Sequence, residues 1–94
     1  MLGKYLLTQL HTLQAKYSSL IQNSRGLGLL CAFDFKTSEL RDNFKQYCLD
    51  NKLIILGCGE KSIRFRPPLN VTQTGLDEGL NIIEKVLNFM SSIN

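Results

Sequence analysis

The sequence predicts an α+β domain: a small, mostly antiparallel sheet of about three strands with helices packed on it, in the order α-β-α-β-β-α. Three observations predict it. Segments 2–21 and 72–93 carry apolar residues at steps of three and four, which is one buried stripe on each of two helices. Leu29–Phe35 alternates at a period of two, with Leu29, Cys31, Phe33 and Phe35 on one side, as a half-buried strand does. Two further short runs, Leu53–Leu56 and Ser62–Arg66, flank a turn that holds Gly57 and Gly59, the layout of a hairpin.

The elements follow in order. Leu2, Leu6, Leu10, Leu13, Tyr17 and Leu20 form the stripe of the first helix, with Lys4, Thr8, His11 and Gln14 off it. His11 is the single histidine and reads as a surface residue, not a ligand or a base. Asn23–Gly28 ends this helix, with Gly26 and Gly28 supplying backbone freedom. After the first strand, Thr37 or Ser38 caps a second helix with Glu39 in its first turn. Its buried face is Leu40, Phe44, Tyr47 and Cys48, and Asn51 is its left-handed stop. Leu53-Ile54-Ile55-Leu56 is wholly apolar and predicts a central strand covered on both faces. The last helix starts near Thr72 or Thr74, and Thr72 as the cap would let Val71 pack on Leu76. Leu76, Leu80, Ile83, Leu87 and Met90 form its stripe, widened by Ile82, Val86, Phe89 and Ile93.

Size and charge bound the function. The chain has 94 residues, one domain by length, and such a chain buries roughly 60–65% of its unfolded surface. Net charge is +3, but the cations are dispersed. Lys61, Arg64 and Arg66 are the densest group, too few for the basic footprint of a nucleic-acid reader. Cys31, Cys48 and Cys58 form no CxxC pair, so neither a disulfide framework nor a zinc site is expected. Thiols of this kind fit a reducing compartment, and no apolar run has the length of a membrane span. The expected setting is the cytoplasm, or the mitochondrial matrix if the source is eukaryotic, with no nucleic-acid or membrane partner.

One segment stands apart: Gly57-Cys58-Gly59-Glu60-Lys61-Ser62-Ile63-Arg64-Phe65-Arg66-Pro67-Pro68-Leu69. Alternation puts Ile63 and Phe65 on one side of the return strand and Arg64 and Arg66 on the other. Pro67 and Pro68 stiffen its exit. Outward arginines either protect a sheet edge from mispairing or face an anion, since a guanidinium binds a carboxylate through two parallel hydrogen bonds. Gly57-Cys58-Gly59 lacks the spacing of a phosphate loop and reads as a turn. No set of acids, no Ser-His-Asp set and no Cys–His pair completes an active site.

The runs Arg25–Asp34 and Asn51–Leu69, with their RG-x-G-L and IRF-x-PPL pieces, resemble the C-terminal part of the class III, pyridoxal-phosphate-dependent aminotransferases. Within that family the likeness points to the 4-aminobutyrate and lysine 6-aminotransferases. It covers nearly the whole chain, 1–94. The resemblance implies a fold-type I parent, a homodimer, in which a large domain holds pyridoxal phosphate through a Schiff-base lysine. It implies that this chain is the small C-terminal domain, a fragment inactive alone and binding no cofactor, with Met1 falling mid-helix in the parent. The implied reaction moves an amino group from a donor of the 4-aminobutyrate, lysine or ornithine type to 2-oxoglutarate. The family's IRF arginine binds a substrate carboxylate, and here that position is Arg64. Arg66 matches members that carry RFRPPL. Lys52 and Lys61 stand in the wrong context to replace the Schiff-base lysine. The competing expectation is a free-standing α/β module that binds an anionic metabolite or a partner protein.

Overall fold

The computed structural model describes residues 2–27, 30–53, 56–65 and 71–93, with the backbone alone at positions 56, 58 and 93. Seven elements follow one another: α1 (Leu2–Lys16), β1 (Ile21–Leu27), β2 (Leu30–Phe35), α2 (Ser38–Asp50), β3 (Leu56–Cys58), β4 (Ser62–Phe65) and α3 (Gln73–Ile93). The strands form one sheet in the order β1-β2-β4-β3, antiparallel at every pairing. The expected α+β class and small antiparallel sheet are found, with one strand more than the sequence pattern shows.

That strand is β1. The first helix stops at Lys16 rather than continuing to residue 21. Ser18 and Ser19 follow Tyr17, and serine side chains compete for helical backbone groups. The chain turns there, with the N–H groups of Leu20 and Ile21 both donating to the Tyr17 carbonyl. Tyr17 and Leu20 remain buried, so the helical spacing runs on past the helix. Segment 23–27, expected as a turn, is strand. A register shift between Gln22 and Arg25, with Asn23 at φ 57°, marks a β-bulge, and asparagine tolerates that left-handed backbone better than most residues.

A second correction concerns β3. It is a three-residue edge strand, not a central one. Leu53 is partly buried against the core, while Ile54 and Ile55 lie outside the described residues. The internal strands are β2, between β1 and β4, and β4, between β2 and β3.

All three helices belong to one side of the sheet. Cys31, Phe33, Phe35 and Ile63 point that way and are buried. Helix α1 packs on β1 and β2, α2 on β2, β3 and β4, and α3 against α1 and α2. The Phe33 ring sits within 5.3–5.9 Å of the rings of Phe35, Phe44 and Phe65, so an aromatic cluster joins sheet to α2. Tyr47 meets Phe89 edge-on at 5.2 Å, joining α2 to α3. Tyr5 donates to Asp77 and Lys16 to Glu84, which tie α1 to α3 beside a cleft of ≈ 270 Å³.

The caps explain the boundaries. The Thr37 hydroxyl accepts from the Leu40 N–H at 3.2 Å, and the Thr72 hydroxyl accepts from the Gly75 N–H at 3.1 Å, each a side chain satisfying a helix-start donor. The C-cap of α2 is Asn51 at φ −95°. The left-handed residue is the next one, Lys52, at φ 66°. Along α3 the buried stripe is Leu76, Leu80, Ile83, Val86, Leu87 and Met90. Phe89, expected to widen it, is 49% exposed.

Candidate functional site

Since the helices take one side of the sheet, the other side is left uncovered by this chain's described elements. Three rows of side chains cross it. Leu27 pairs with Leu30 at one end, and both are exposed. Arg25, Ala32 and Arg64 make the middle row on β1, β2 and β4. Gln22, Asp34 and Ser62 make the third. The face is thus apolar at one end, cationic in the middle and polar at the other.

Arg64 is exposed and stands on β4, one of the two strands with neighbours on both sides. Its backbone is registered against Ala32 and Leu56, so the side chain leaves from a fixed point. Among the described residues no hydrogen bond or ion pair holds its guanidinium. Its flank on β2 is the small Ala32, which leaves room over the sheet. Arg66, Pro67 and Pro68 lie outside the described residues.

The sole acid of the described strands is Asp34, and it is engaged. Its Oδ1 accepts from the Ser62 hydroxyl at 2.5 Å and from Arg25 Nη1 at 3.0 Å, and its Oδ2 accepts from Asn23 Nδ2 at 3.2 Å. Arg25 Nη1 also donates to the Asn23 carbonyl at 2.8 Å. An open depression of ≈ 470 Å³ lies over these residues. The Arg25 charge is therefore neutralised within the face, and that of Arg64 is not. No sequence spacing pointed to this network, because the bulge at Asn23 is what brings Arg25 beside Asp34.

Burial alone would raise the Asp34 pKa, but the hydrogen bonds from Ser62, Asn23 and Arg25, with the Arg25 charge, hold it below its usual value. A folded pKa below the unfolded one contributes stability above the unfolded value of about 3.9, and that contribution disappears as pH falls through the folded value. Asp34→Asn is therefore expected to lie below the parent sequence in stability near neutrality and to meet it in acid. Urea midpoints taken from about pH 6 down to about pH 3 measure this. A gap that stays constant across the range would remove Asp34 from the titrating groups.

Other candidates resolve simply. His11 is exposed, as expected, and its Nδ1 lies 2.5 Å from the Ser24 hydroxyl. Cys31 and Cys48 are buried, and burial pushes the Cys48 thiol up to about 12, far from a nucleophile's range. Among the described residues no group of His, Cys, Asp and Glu could hold a metal ion, and no helix is long and apolar enough to cross a membrane. Every described lysine is exposed except the half-buried Lys45.

Known proteins share this chain's sequence and fold. The family model described as Aminotransferase class-III matches residues 1–87. An L-lysine-epsilon aminotransferase from Amycolatopsis lactamdurans is 40% identical over 82 residues, 86% of this chain and 18% of that protein. The mitochondrial 4-aminobutyrate aminotransferase of Sus scrofa is 39% identical over 85 residues, 90% of this chain and 17% of that protein. Among solved structures, lysine aminotransferase from M. tuberculosis superposes with a TM-score of 0.90 at 33% identity, over 93% of this chain and 20% of the other. The chain thus spans about a fifth of the length of these relatives. With a family match over almost its whole length and a fold shared with solved members, this chain belongs to the class III aminotransferases.

Proposed function

We propose that this chain is the small C-terminal domain of a larger pyridoxal-phosphate-dependent aminotransferase, and that Arg64 holds a substrate carboxylate in it. The parent reaction moves an amino group from a terminal-amine donor, of the 4-aminobutyrate, lysine or ornithine type, to 2-oxoglutarate. The observation that carries this reading is Arg64 itself: a guanidinium exposed on an internal strand, with no acid of the described residues spent on it. A planar fork in that setting is prepared for an incoming carboxylate.

The chain's own residues do not fit the cofactor. A Schiff-base lysine needs a desolvated amine, and the described lysines are exposed apart from Lys45, which is only half-buried. In the parent, pyridoxal phosphate supplies the electron sink for the amino group, and the large domain carries it. The part played here is binding and orientation. Holding one end of the acceptor from a rigid strand sets its keto carbon in place, and orientation of this kind lowers the barrier without any chemistry by Arg64.

The test is Arg64→Ala in the full-length parent. The Michaelis constant for 2-oxoglutarate is expected to rise steeply, and the isolated 94-residue chain is expected to show neither transaminase activity nor cofactor absorbance. Unchanged use of 2-oxoglutarate by the variant would remove Arg64 from the site. A coloured, active isolated chain would remove the division of labour between the domains.

A further inference from the structure

We propose that Arg41 is a positioning residue for Arg64: it locks the β3–β4 hairpin against α2 and so fixes the point from which the Arg64 guanidinium reaches its carboxylate. The inference rests on the reading of Arg64 given above and adds to it a residue on the opposite side of the sheet.

Arg41 lies in the first turns of α2 with its side chain only 13% exposed. Its Nε donates to Asp42 Oδ1 at 2.8 Å, which orients the guanidinium plane. Its Nη1 donates to the Ser62 carbonyl at 3.1 Å and to the Gly59 carbonyl at 3.3 Å. Gly59 stands in the turn at φ 61°, and Ser62 is the first residue of β4, two before Arg64. Meanwhile the Ser62 hydroxyl donates to Asp34 on β2. The start of β4 is therefore held twice, by Arg41 through its carbonyl and by Asp34 through its side chain.

Gly57 makes the clamp possible. A Cβ at that position would stand 2.7 Å from Arg41 Nη1, closer than atoms pack, and a tight 3.2 Å from its Cζ. With no side chain on the strand passing it, the guanidinium lies directly against the hairpin, and a Cβ there would push it aside. A short edge strand such as β3 holds its neighbour weakly by its own ladder, so the clamp matters for where β4 sits. Misplacement of a binding group by on the order of 1 Å can cost on the order of 100-fold in rate.

A double-mutant cycle in the full-length parent, with 2-oxoglutarate as the acceptor, tests this. Arg41→Gln is expected to raise the Michaelis constant for 2-oxoglutarate about tenfold, more than it lowers kcat, and to add nothing on top of Arg64→Ala, as coupled residues do. Independent, additive losses would overturn the positioning role while leaving Arg64 in place. No loss from Arg41→Gln would overturn it as well. No loss from Arg64→Ala would overturn the reading of Arg64 and this inference with it. Gly57→Ala displaces the same guanidinium without removing it, and the same non-additivity with Arg64→Ala is expected. If Arg41→Gln fails to fold, the Gly57→Ala cycle decides, and additivity there overturns the proposal.

Discussion

Phe33→Ala is expected to destabilise the domain by about 3–5 kcal/mol, the range for deleting a fully buried aromatic ring. A domain of this size holds roughly 5–14 kcal/mol in all, so this one change removes a large part of it. Phe33 has no exposed surface, and its ring touches those of Phe35, Phe44 and Phe65, one from its own strand, one from α2 and one from β4. Aromatic pairs at such separations add to the area they bury. The cavity left behind is bounded by the sheet on one side, and its antiparallel pairings to β1 and β4 resist the collapse that would soften the loss. Urea unfolding of the two proteins measures the difference as a shift in midpoint at constant slope. A shift under about 1 kcal/mol would mean that the ring is not the centre of the core. Because Phe65 adjoins Arg64, the same substitution is expected to loosen the strand that presents the guanidinium.

How much of this was legible follows from which residues announce themselves by pattern. Strand β2 was readable because Cys31, Phe33 and Phe35 alternate with Ala32 and Asp34, and α3 because its stripe repeats over 21 residues. Strand β1 was not, since Ile21–Leu27 has one buried residue and a bulge. Its extended form comes from pairing with β2, a tertiary cause that no local preference encodes. The edge position of β3 was hidden for a similar reason. An apolar run signals burial but not which neighbour provides it. For Arg64, the outward side was legible because alternation with Ile63 and Phe65 fixes it, while the carboxylate role proposed for it comes from the family resemblance and not from the pattern. Arg41 was not, because its partners are carbonyls 18 and 21 residues away. The one sequence trace of that contact is Gly57, which reads equally well as an ordinary turn residue.

Arg64→Lys keeps the charge and loses the fork. Lysine offers a compact ammonium on a flexible stem, whereas arginine presents a rigid plane that meets both oxygens of a carboxylate. A hydrogen bond to a charged group contributes about 1.5–3 kcal/mol, so the expected loss in kcat/KM for 2-oxoglutarate in the full-length parent proposed above is about 10- to 150-fold. The strand cannot compensate by moving. Strand β4 is internal, paired on both sides, and its first residue is clamped by Arg41. Stability is expected to change by less than about 0.5 kcal/mol, as for an exposed residue without structural partners. The two readouts therefore separate, unlike in Phe33→Ala, where both are expected to suffer: function falls while the unfolding midpoint holds. Parallel losses in both would show that Arg64 serves the fold, and an unchanged kcat/KM would show that no carboxylate rests on it.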